Sequence, residues 1–296
     1  MLKKLDKVKK ILKLLPYPLK LFLKTFLFPR YYFRYFFNDL LSFLGKNYGG
    51  SNIIFVAGYP KSGTTWVENF IANIPGYNSR IIQGPSEIIA NHELPINSFD
   101  WVPLSGYSSI KTHINPSKNN INILIKNHIK KVVIISRDPR DIVVSNYYHA
   151  LIANPWKSSD SIYLDYKKVS KEEAMLHSFN LVAADFEPWI NGWLEVGNNN
   201  EIECLFLKYE DLVNNAEIKF KEILAFYNIN LSPVKFQRIM LEINQDQSKF
   251  NPEKGNVGQK STKRKGVVGS WNDEFSDNLK SISSDKFKDI INRFDY

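Results

Sequence analysis

The sequence predicts an α/β fold, because apolar runs of the length of a buried strand alternate with longer segments of helical pattern. Three apolar runs have this character, at residues 53–56, 131–136 and 202–207. Each run is followed by residues that suit a helix, so strands and helices come in turn along the chain. With 296 residues, 44% of them hydrophobic, the chain is long enough for one large α/β domain or two small ones.

The loop after the first strand is suited to bind an anion. It reads Tyr-Pro-Lys-Ser-Gly-Thr-Thr-Trp over residues 59–66 and leads into a helix predicted to run from Thr64 to about Ile74. Such a loop presents free backbone N–H groups and the positive end of a helix dipole to a phosphate. A lysine, three hydroxyls and a glycine that permits close approach strengthen this preference. The predicted nucleotide-binding residues of the loop are Lys61, Ser62, Gly63, Thr64, Thr65 and Trp66.

The order of residues in this loop differs from that of an ATP-binding P-loop. In that motif the lysine follows the second glycine, and the next hydroxyl binds magnesium. Here Lys61 precedes Gly63, so the pattern of a kinase or NTPase is not met.

The stretch 75–107 reads as irregular, since proline, glycine, asparagine and serine are scattered among its aromatic residues. Phe99, Trp101 and Tyr107 are candidates to line an apolar ligand pocket. The alternative is that these aromatic side chains cover the core.

A strand end then carries Lys111, Thr112 and His113. Of the five histidines, His113 is the one that directly follows a predicted strand in this context. Histidine titrates near neutral pH and is the commonest general base. His113 is therefore the candidate base, with His149 as the second candidate and a purely structural histidine as the alternative.

The strand at 131–136 leads into Arg137, Asp138 and Pro139, and the proline suits the first turn of the next helix. Arginine binds phosphate oxygens through two parallel hydrogen bonds, which makes Arg137 a candidate anion ligand. Asp138 could instead act as the magnesium-binding acid of an NTPase, but the matching Gly-Lys-Ser/Thr loop is missing.

The strand at 202–207 ends in Lys-Tyr-Glu-Asp-Leu, and Asp211 is predicted to be the N-cap of a helix that continues to about Tyr227. Helices are also predicted at 172–195 and 233–243. Cys204 lies within the strand, and as the single cysteine it is interpreted as a buried structural residue.

The C-terminal region carries a basic motif that begins Arg264, Lys265, Gly266 and ends at Trp271. The motif either closes over a phosphate or forms a solvated basic loop.

The net charge of +9 is concentrated at the N-terminus. Residues 1–34 hold ten basic residues and one acidic residue, so the rest of the chain is formally neutral. The basic composition therefore gives no reason to expect a nucleic-acid partner. No uninterrupted apolar run approaches the roughly 20 residues of a membrane-spanning helix, and no signal peptide is recognised.

Residues 1–47 are predicted to form a basic, aromatic, amphipathic arm in front of a catalytic domain at 48–296. Leucines and a valine recur in the arm at helical spacing with lysines between them. Either the aromatic residues pack onto the domain, or residues 1–45 bind an anionic membrane surface. The predicted location is cytoplasmic, with peripheral membrane attachment as the open alternative.

The motifs at 59–66, 111–113, 137–145 and 264–271 together resemble those of sulfotransferases that use 3′-phosphoadenosine 5′-phosphosulfate (PAPS), over residues 53 to about 275. The resemblance implies a P-loop-NTPase-like three-layer fold, in which helices flank a central parallel sheet and the nucleotide binds at the carboxyl ends of the strands. It also implies transfer of a sulfuryl group from PAPS to a hydroxyl or amine, with release of adenosine 3′,5′-bisphosphate.

The same resemblance implies roles for individual residues. His113 is the base, Lys61 and Lys111 neutralise charge on the leaving oxygen, and Tyr209 reaches the adenine. No metal is expected. The residues implied to hold the 3′-phosphate are Arg137, Ser145, Arg264, Lys265 and Gly266.

The chain departs from the family pattern at two places. Asn115 stands where members commonly have proline, and the motif through which many cytosolic members dimerise is not found in residues 272–296. The acceptor, whether a small molecule, a sugar or a lipid, is not identified by the sequence. Two other classes stay open: a magnesium-dependent P-loop kinase or NTPase, and a non-catalytic membrane-binding protein on a degenerate scaffold.

Overall fold

The computed structural model describes residues 53–80, 82, 92–96, 98–99, 107–153, 164–248 and 266–296. The arm predicted at residues 1–47 lies outside these ranges, as does Trp101. Within the described ranges a five-stranded sheet has the order β2-β3-β1-β4-β5, and every neighbouring pair is parallel. The strands are β1 Ile53–Gly58, β2 Tyr77–Arg80, β3 Tyr107–Thr112, β4 Lys131–Ser136 and β5 Glu203–Lys208.

Helices cover both faces of the sheet, which gives three layers. Side chains of β1 alternate between two apolar cores, with Phe55 and Ala57 in one and Ile54 and Val56 in the other. The helices are α1 Thr64–Ala72, α2 Lys118–Lys126, α3 Pro139–Ala153, α4 Lys171–Asn198, α5 Tyr209–Phe226, α6 Pro233–Ser248, α7 Trp271–Glu274, α8 Asp277–Lys286 and α9 Lys288–Phe294.

The first core contains side chains of α2, α3, α4, α8 and α9, and the second contains those of α1, α5 and α6. Strands buried on both faces need apolar residues at every position, which explains the continuous β-branched runs of β1 and β4. The predicted fold, a central parallel sheet flanked by helices, is confirmed. None of the helices in the described ranges is long and apolar enough to cross a membrane.

Two helix boundaries and one strand differ from the sequence prediction. Strand β2 lies in the stretch 75–107, which was expected to be irregular. Helix α5 begins at Tyr209 directly after β5, with Lys208 as its N-cap residue, so the prediction of Asp211 as N-cap is wrong. Asp211 lies instead in the first turn, where its charge still complements the helix dipole. Helix α6 continues to Ser248 rather than Ile243. Helix α4 includes Pro188 within its length, which is possible because a proline removes only one backbone hydrogen bond.

Tyr227 hydrogen-bonds to two strands of the sheet, away from the predicted site. Its buried hydroxyl donates to the carbonyl of Phe55 at 3.1 Å or of Lys131 at 3.0 Å and accepts from the Phe55 N–H at 3.3 Å. These contacts join β1 to β4. Because all five strands are parallel, their carboxyl ends lie at the opposite edge of the sheet, where the loops carry the predicted site residues.

Candidate active site

The loop between β1 and α1 has two residues in left-handed backbone conformations. Lys61 has φ 73° and Gly63, the N-cap of α1, has φ 90°. A Cβ atom at Gly63 would lie 2.5 Å from Cδ2 of Tyr209, so the tyrosine ring occupies the space that any other residue would need. A left-handed non-glycine residue such as Lys61 is uncommon and concentrates at functional sites. The loop is therefore built for close approach of its backbone to a ligand.

Several polar atoms at this end of the sheet are buried without a protein partner. They include Oγ of the fully buried Ser62, Nε1 of Trp66 and Nε of Arg137. Buried polar atoms are almost always hydrogen-bonded, so these atoms beside the loop suit a bound ligand that hydrogen-bonds to them. Thr64 is buried at the same helix start, whereas Thr65 is exposed.

Lys61 is half-buried and has no carboxylate partner among the ion pairs of the described residues. Burial lowers the pKa of Lys61 to about 8, and the positive charge of Arg137 lowers it further. A group in this state gains strongly from an anion, because the anion restores the stability of the charged form.

Lys111 is held at the start of α1 by two contacts. Its Nζ lies 2.8 Å from Oε2 of Glu68 and donates to Oγ1 of Thr65 at 3.1 Å. The other carboxylate oxygen of Glu68 accepts a 2.6 Å hydrogen bond from Ser79 on β2. The structure therefore fixes Lys111 next to the loop through a carboxylate that the sequence reading did not single out.

His113 follows β3, and its Nδ1 donates to the carbonyl oxygen of Gly58 at 2.6 Å. A carbonyl only accepts, so the proton is on Nδ1 and Nε2 keeps its lone pair. Burial lowers the pKa of His113 to about 4, partly opposed by the Gly58 hydrogen bond and assisted by the charges of Lys111 and Lys61. The ring is thus neutral at neutral pH, with one nitrogen able to accept a proton.

Asn120 fixes the chain on both sides of His113. Its amide nitrogen donates to the carbonyls of His92 at 3.0 Å and Asn115 at 2.8 Å, and its oxygen accepts from the Leu94 N–H at 2.7 Å. Asn120 is completely buried. Asn115 therefore takes part in an ordered turn through its backbone, although the family pattern has proline at this position. The clue in the sequence was a polar residue at a core-facing position of α2.

An aromatic cluster, of which only Tyr59 is partly exposed, contacts Ile114, the residue after His113. Nε1 of Trp189 on α4 donates to the carbonyl of Ile114 at 2.9 Å, and Tyr59 packs edge-on against Trp189 and Phe186 with ring centroids 5.8 and 5.1 Å apart. Phe99, a candidate for a pocket lining, is 6% exposed and belongs to the core. The ring of Tyr107 packs against that of Tyr77 on β2, with the ring centroids 5.0 Å apart. Phe99 and Tyr107 therefore fit the alternative prediction, in which these aromatic residues cover the core.

Arg137 lies at the end of β4, 7% exposed, with its guanidinium 4.3 Å from the centre of the Tyr209 ring. Its Nη2 donates to the Asp141 carboxylate at 3.2 Å and to the Val267 carbonyl at 3.1 Å. Ser145, two helical turns further along α3, is half-buried. The predicted arginine therefore touches the C-terminal motif directly.

Asp141 holds the C-terminal motif against α3. Its fully buried carboxylate accepts hydrogen bonds from the Gly269 N–H at 2.9 Å, the Ser270 hydroxyl at 2.8 Å and the Trp271 N–H at 3.1 Å. With the contact to Arg137, this one side chain joins two of the predicted motifs. Sequence reasoning missed Asp141, whose position four residues after Arg137, in the first turn of α3, was the available signal.

Tyr209 completes the convergence. Its hydroxyl donates to the carbonyl of Gly266 at 3.1 Å, while its ring covers Gly63 and lies under Arg137. Gly266 has φ 64° and so needs glycine's freedom. The loop after β1, the start of α3 and residues 266–271 meet at one place. Arg264 and Lys265 lie outside the described residues.

The sulfotransferase domain model matches residues 51–293 of the chain. The chain belongs to the sulfotransferase domain family. The predicted enzyme class, a PAPS-dependent sulfotransferase, is confirmed by this assignment, and the kinase or NTPase alternative is not favoured.

This sulfotransferase has curated relatives from several animals. It is 23% identical to the amine sulfotransferase of Oryctolagus cuniculus, covering 81% of this chain and 82% of the relative. It is 27% identical to sulfotransferase 2A6 of Mus musculus, covering 74% and 76%. Among solved structures, mouse sulfotransferase SULT7A1 complexed with PAP superposes with a TM-score of 0.59 at 23% identity, covering 84% of this chain and 88% of that one. A retinol dehydratase in complex with androsterone and PAP gives 0.54 at 22%, covering 81% and 80%.

Asp138, the residue that an NTPase reading would assign to magnesium, has another partner in this sulfotransferase. Its carboxylate pairs with Arg140 at 2.6 Å, and the Arg140 guanidinium lies 3.9 Å from the centre of the Trp271 ring. The Asp138 N–H donates to Glu210 at 3.0 Å. The described residues contain no group of three or more histidine, cysteine or acidic side chains that could hold a metal ion.

Proposed function

We propose that this sulfotransferase binds PAPS where the loop after β1, the start of α3 and residues 266–271 meet, and that His113 activates a small-molecule acceptor there. The observation that carries the proposal is the hydrogen bond from Nδ1 of His113 to Gly58, which leaves Nε2 as a proton acceptor beside two lysines. The half-buried ring of Tyr59, backed by the buried Phe186 and Trp189, gives the acceptor side an apolar surface.

The donor-binding residues fit an anionic nucleotide. Lys61 and the N-terminus of α1 offer positive charge, and the partnerless Oγ of Ser62 and Nε of Arg137 offer donors. The close packing of Tyr209 on Gly63 supports an adenine-side role for the tyrosine. Further contacts to the loop and to the 3′-phosphate are assigned to Thr64, Thr65, Trp66, Ser145, Arg264, Lys265 and Gly266.

PAPS supplies an activated sulfuryl group: a new bond forms from sulfur to the acceptor oxygen or nitrogen, the bond from sulfur to the 5′-phosphate oxygen breaks, and adenosine 3′,5′-bisphosphate leaves. His113 takes the acceptor's proton on Nε2, because a hydroxyl is a poor nucleophile until it loses that proton. Lys61 and Lys111 neutralise charge at the leaving oxygen. The Gly58 carbonyl holds the His113 ring in the tautomer that the base needs.

The chemistry of the acceptor is proposed from both the site and the relatives. One neighbour is described as a retinol dehydratase in complexes with androsterone and with retinol, and one relative is an amine sulfotransferase. A small apolar molecule with a hydroxyl or amine suits the ring of Tyr59, which follows the Gly58 carbonyl that holds His113. Sugar and lipid acceptors remain part of the proposal, as does a cytoplasmic location with the basic arm at residues 1–47 in contact with an anionic membrane.

Thermal unfolding tests the donor site. Adenosine 3′,5′-bisphosphate at about a hundred times its Kd is expected to raise Tm by roughly 5 to 10 °C, whereas ATP with magnesium gives a smaller shift. A larger shift with ATP and magnesium would favour the kinase or NTPase alternative. A screen with radiolabelled PAPS across phenols, sterols, sugars, amines and glycolipids then identifies the acceptor class.

A further inference from the structure

A second histidine faces the same end of the sheet as His113. The neighbouring strands β3, β1 and β4 carry in turn His113, Lys61 and the helix α3, and His149 lies on α3. The charge of Lys61 lowers the pKa of His113 and also that of His149. Because β1 lies between β3 and β4, the loop that carries Lys61 lies between the elements that carry the two histidines.

The spacing along α3 brings His149 to this place. Asp141, Ser145 and His149 are four residues apart and so share one face of the helix. Asp141 holds residues 269–271, and Ser145 is the candidate phosphate ligand. Neighbouring positions point elsewhere, as Asn146 contacts Ser178 on α4. His149 is therefore the next side chain along the face that borders the site.

The surroundings of His149 select its protonation form. Its Nδ1 is buried and has no hydrogen-bond partner within the described residues. The pKa of His149 is lowered first by burial and then by the Lys61 charge, so the ring is neutral at neutral pH. A buried N–H without an acceptor is costlier and rarer than a buried lone pair without a donor. The proton therefore belongs on Nε2.

His149 and His113 consequently present opposite chemistry around Lys61. The Nε2 of His113 carries a lone pair because its Nδ1 donates to Gly58. The Nε2 of His149 carries a hydrogen, because its Nδ1 has nothing to donate to. His149 is half-buried, so its ring is only partly accessible from the site side. It offers a neutral hydrogen-bond donor and not a second base.

We propose that His149 is a specificity-determining residue of the acceptor site, where its Nε2–H donates to an acceptor oxygen that neighbours the group being sulfated. The substrate class this selects is a molecule with two adjacent oxygens, such as a catechol or a vicinal diol. An acceptor with a methyl group in place of the second oxygen leaves the donor desolvated and unpaired, which is the strongest basis for discrimination in a binding site. This inference rests on the proposed function.

The test compares two acceptors of nearly equal size, catechol and 2-methylphenol, in the full-length enzyme. Wild type is expected to favour catechol in kcat/KM by about tenfold, the value of one hydrogen bond to a buried donor. His149→Phe keeps a ring and removes the donor, so the ratio falls to near one. His149→Gln keeps an N–H at the place of Nε2 and restores most of the ratio. Tyr148→Phe, on the same helix but directed to Glu274, is the matched control that keeps it.

A second readout does not depend on turnover. In protein with ¹⁵N-labelled histidine, the spectra are expected to show the Nε2–H tautomer for His149 and the Nδ1–H tautomer for His113 at neutral pH. The opposite tautomer of His149, an unchanged ratio in His149→Phe, or a weakened bisphosphate affinity in that variant would each overturn the proposal. If neither phenol is turned over, the ratio is measured on acceptors from the radiolabel screen that differ by one adjacent oxygen. An enzyme that binds bisphosphate but shows no such ratio refutes the role of His149 alone, and failure of bisphosphate binding refutes the proposed function.

Discussion

Burial acts on His113 and Lys61 in the same direction but with different consequences. It lowers the pKa of the histidine to about 4 and that of the lysine to about 8. For a base the lowered pKa is an advantage, since the ring is neutral at neutral pH and can take a proton. For the lysine, the lowered pKa means that the protein stabilises the charged ammonium poorly. A bound anion would stabilise that charged form.

His113→Ala is expected to lower kcat by about a hundredfold or more, the usual contribution of a general base. The imidazole does not contact the predicted phosphate ligands, so calorimetry should give bisphosphate affinity near that of wild type. The matched control is His128→Asn, since His128 is exposed and asparagine tolerates its left-handed backbone. Normal turnover in His113→Ala would remove His113 from its role.

The lowered pKa of Lys61 predicts how bisphosphate affinity depends on pH. The free protein loses the Lys61 proton as pH rises through about 8, whereas a bound anion keeps the ammonium charged. Binding above that pH therefore takes up a proton, and Kd should rise by up to about tenfold per pH unit between pH 8 and 10. Calorimetry in buffers of different ionisation enthalpy measures the uptake.

Lys61→Gln is the control for that measurement. It should bind bisphosphate more weakly at pH 7 and lack the added dependence above pH 8. An identical slope in wild type and in this variant would assign the titration to another group.

At the scale of elements, the site is assembled by side chains that join one helix or strand to another. Glu68 joins α1 to β2 through Ser79 and to β3 through Lys111. The Lys111 side chain is 28% exposed and that of Glu68 is 14% exposed, so the pair is only partly screened by water. The carboxylate thereby fixes where the ammonium of Lys111 lies.

Glu68→Gln is expected to lower kcat by roughly three- to tenfold, because Lys111 loses the ionic contact that positions it. The bisphosphate has no sulfuryl group, so its affinity should change little, whereas that of PAPS should fall. Equilibrium binding of the two nucleotides separates the effects. Glu217→Gln removes a surface ion pair with Lys221 and serves as the control. Equal losses for PAPS and bisphosphate would show a general disturbance of the loop.

Asp141→Asn is expected to lower the free energy of unfolding by about 2 to 4 kcal/mol. The amide has one acceptor oxygen in place of two and faces donors with its own N–H groups, and Arg137 loses its buried counter-charge. Urea denaturation measures the change, and bisphosphate affinity should fall with it. Asp289→Asn, in the exposed first turn of α9, is the control. Unchanged stability would mean that the motif is held by other contacts.

Four of the five strands in the described ranges were predicted from the sequence, whereas β2 was missed because three of its four residues are polar. Contacts between distant elements were predicted poorly. The runs at β1 and β4 are apolar at every position because both faces are buried, and this pattern is visible locally. Asp211 was misread as a cap because helix α5 starts directly after β5, with no loop for a cap to close. Asn120 and Asp141 were missed because their partners lie far away, up to 130 residues for Asp141.

At the scale of the whole molecule, residues as far apart in the sequence as Gly63 and Gly266 converge on Tyr209, because the sheet is parallel. The loop after β1, the end of β4, Tyr209 after β5 and residues 266–271 all lie at the carboxyl edge, in mutual contact through Arg137 and Tyr209. The motif spacing in the sequence indicated this convergence only through a family resemblance. The contacts give its physical basis.

The excess positive charge of the chain lies in its N-terminal segment, whereas the predicted site residues lie after that segment. Residues 35–296 are formally neutral, and the excess of nine positive charges comes from residues 1–34. Each lysine near an anionic lipid surface contributes on the order of 1 kcal/mol. Replacing five arm lysines by glutamine is therefore expected to weaken co-sedimentation of the full chain with phosphatidylserine-containing vesicles at least a hundredfold, on the order of 3 kcal/mol. The replaced residues are Lys3, Lys4, Lys7, Lys9 and Lys10.

The control for that variant replaces five exposed lysines of the body, which should leave vesicle binding near the wild-type level because they are not concentrated in one segment. These are Lys126, Lys130, Lys167, Lys168 and Lys288. Turnover of a water-soluble acceptor should be the same in all three proteins, since neither set includes a residue assigned to the site. Binding of wild type to vesicles that is equally weak with anionic and neutral lipid would assign the arm to packing on the domain, and added salt should weaken genuine electrostatic binding steeply.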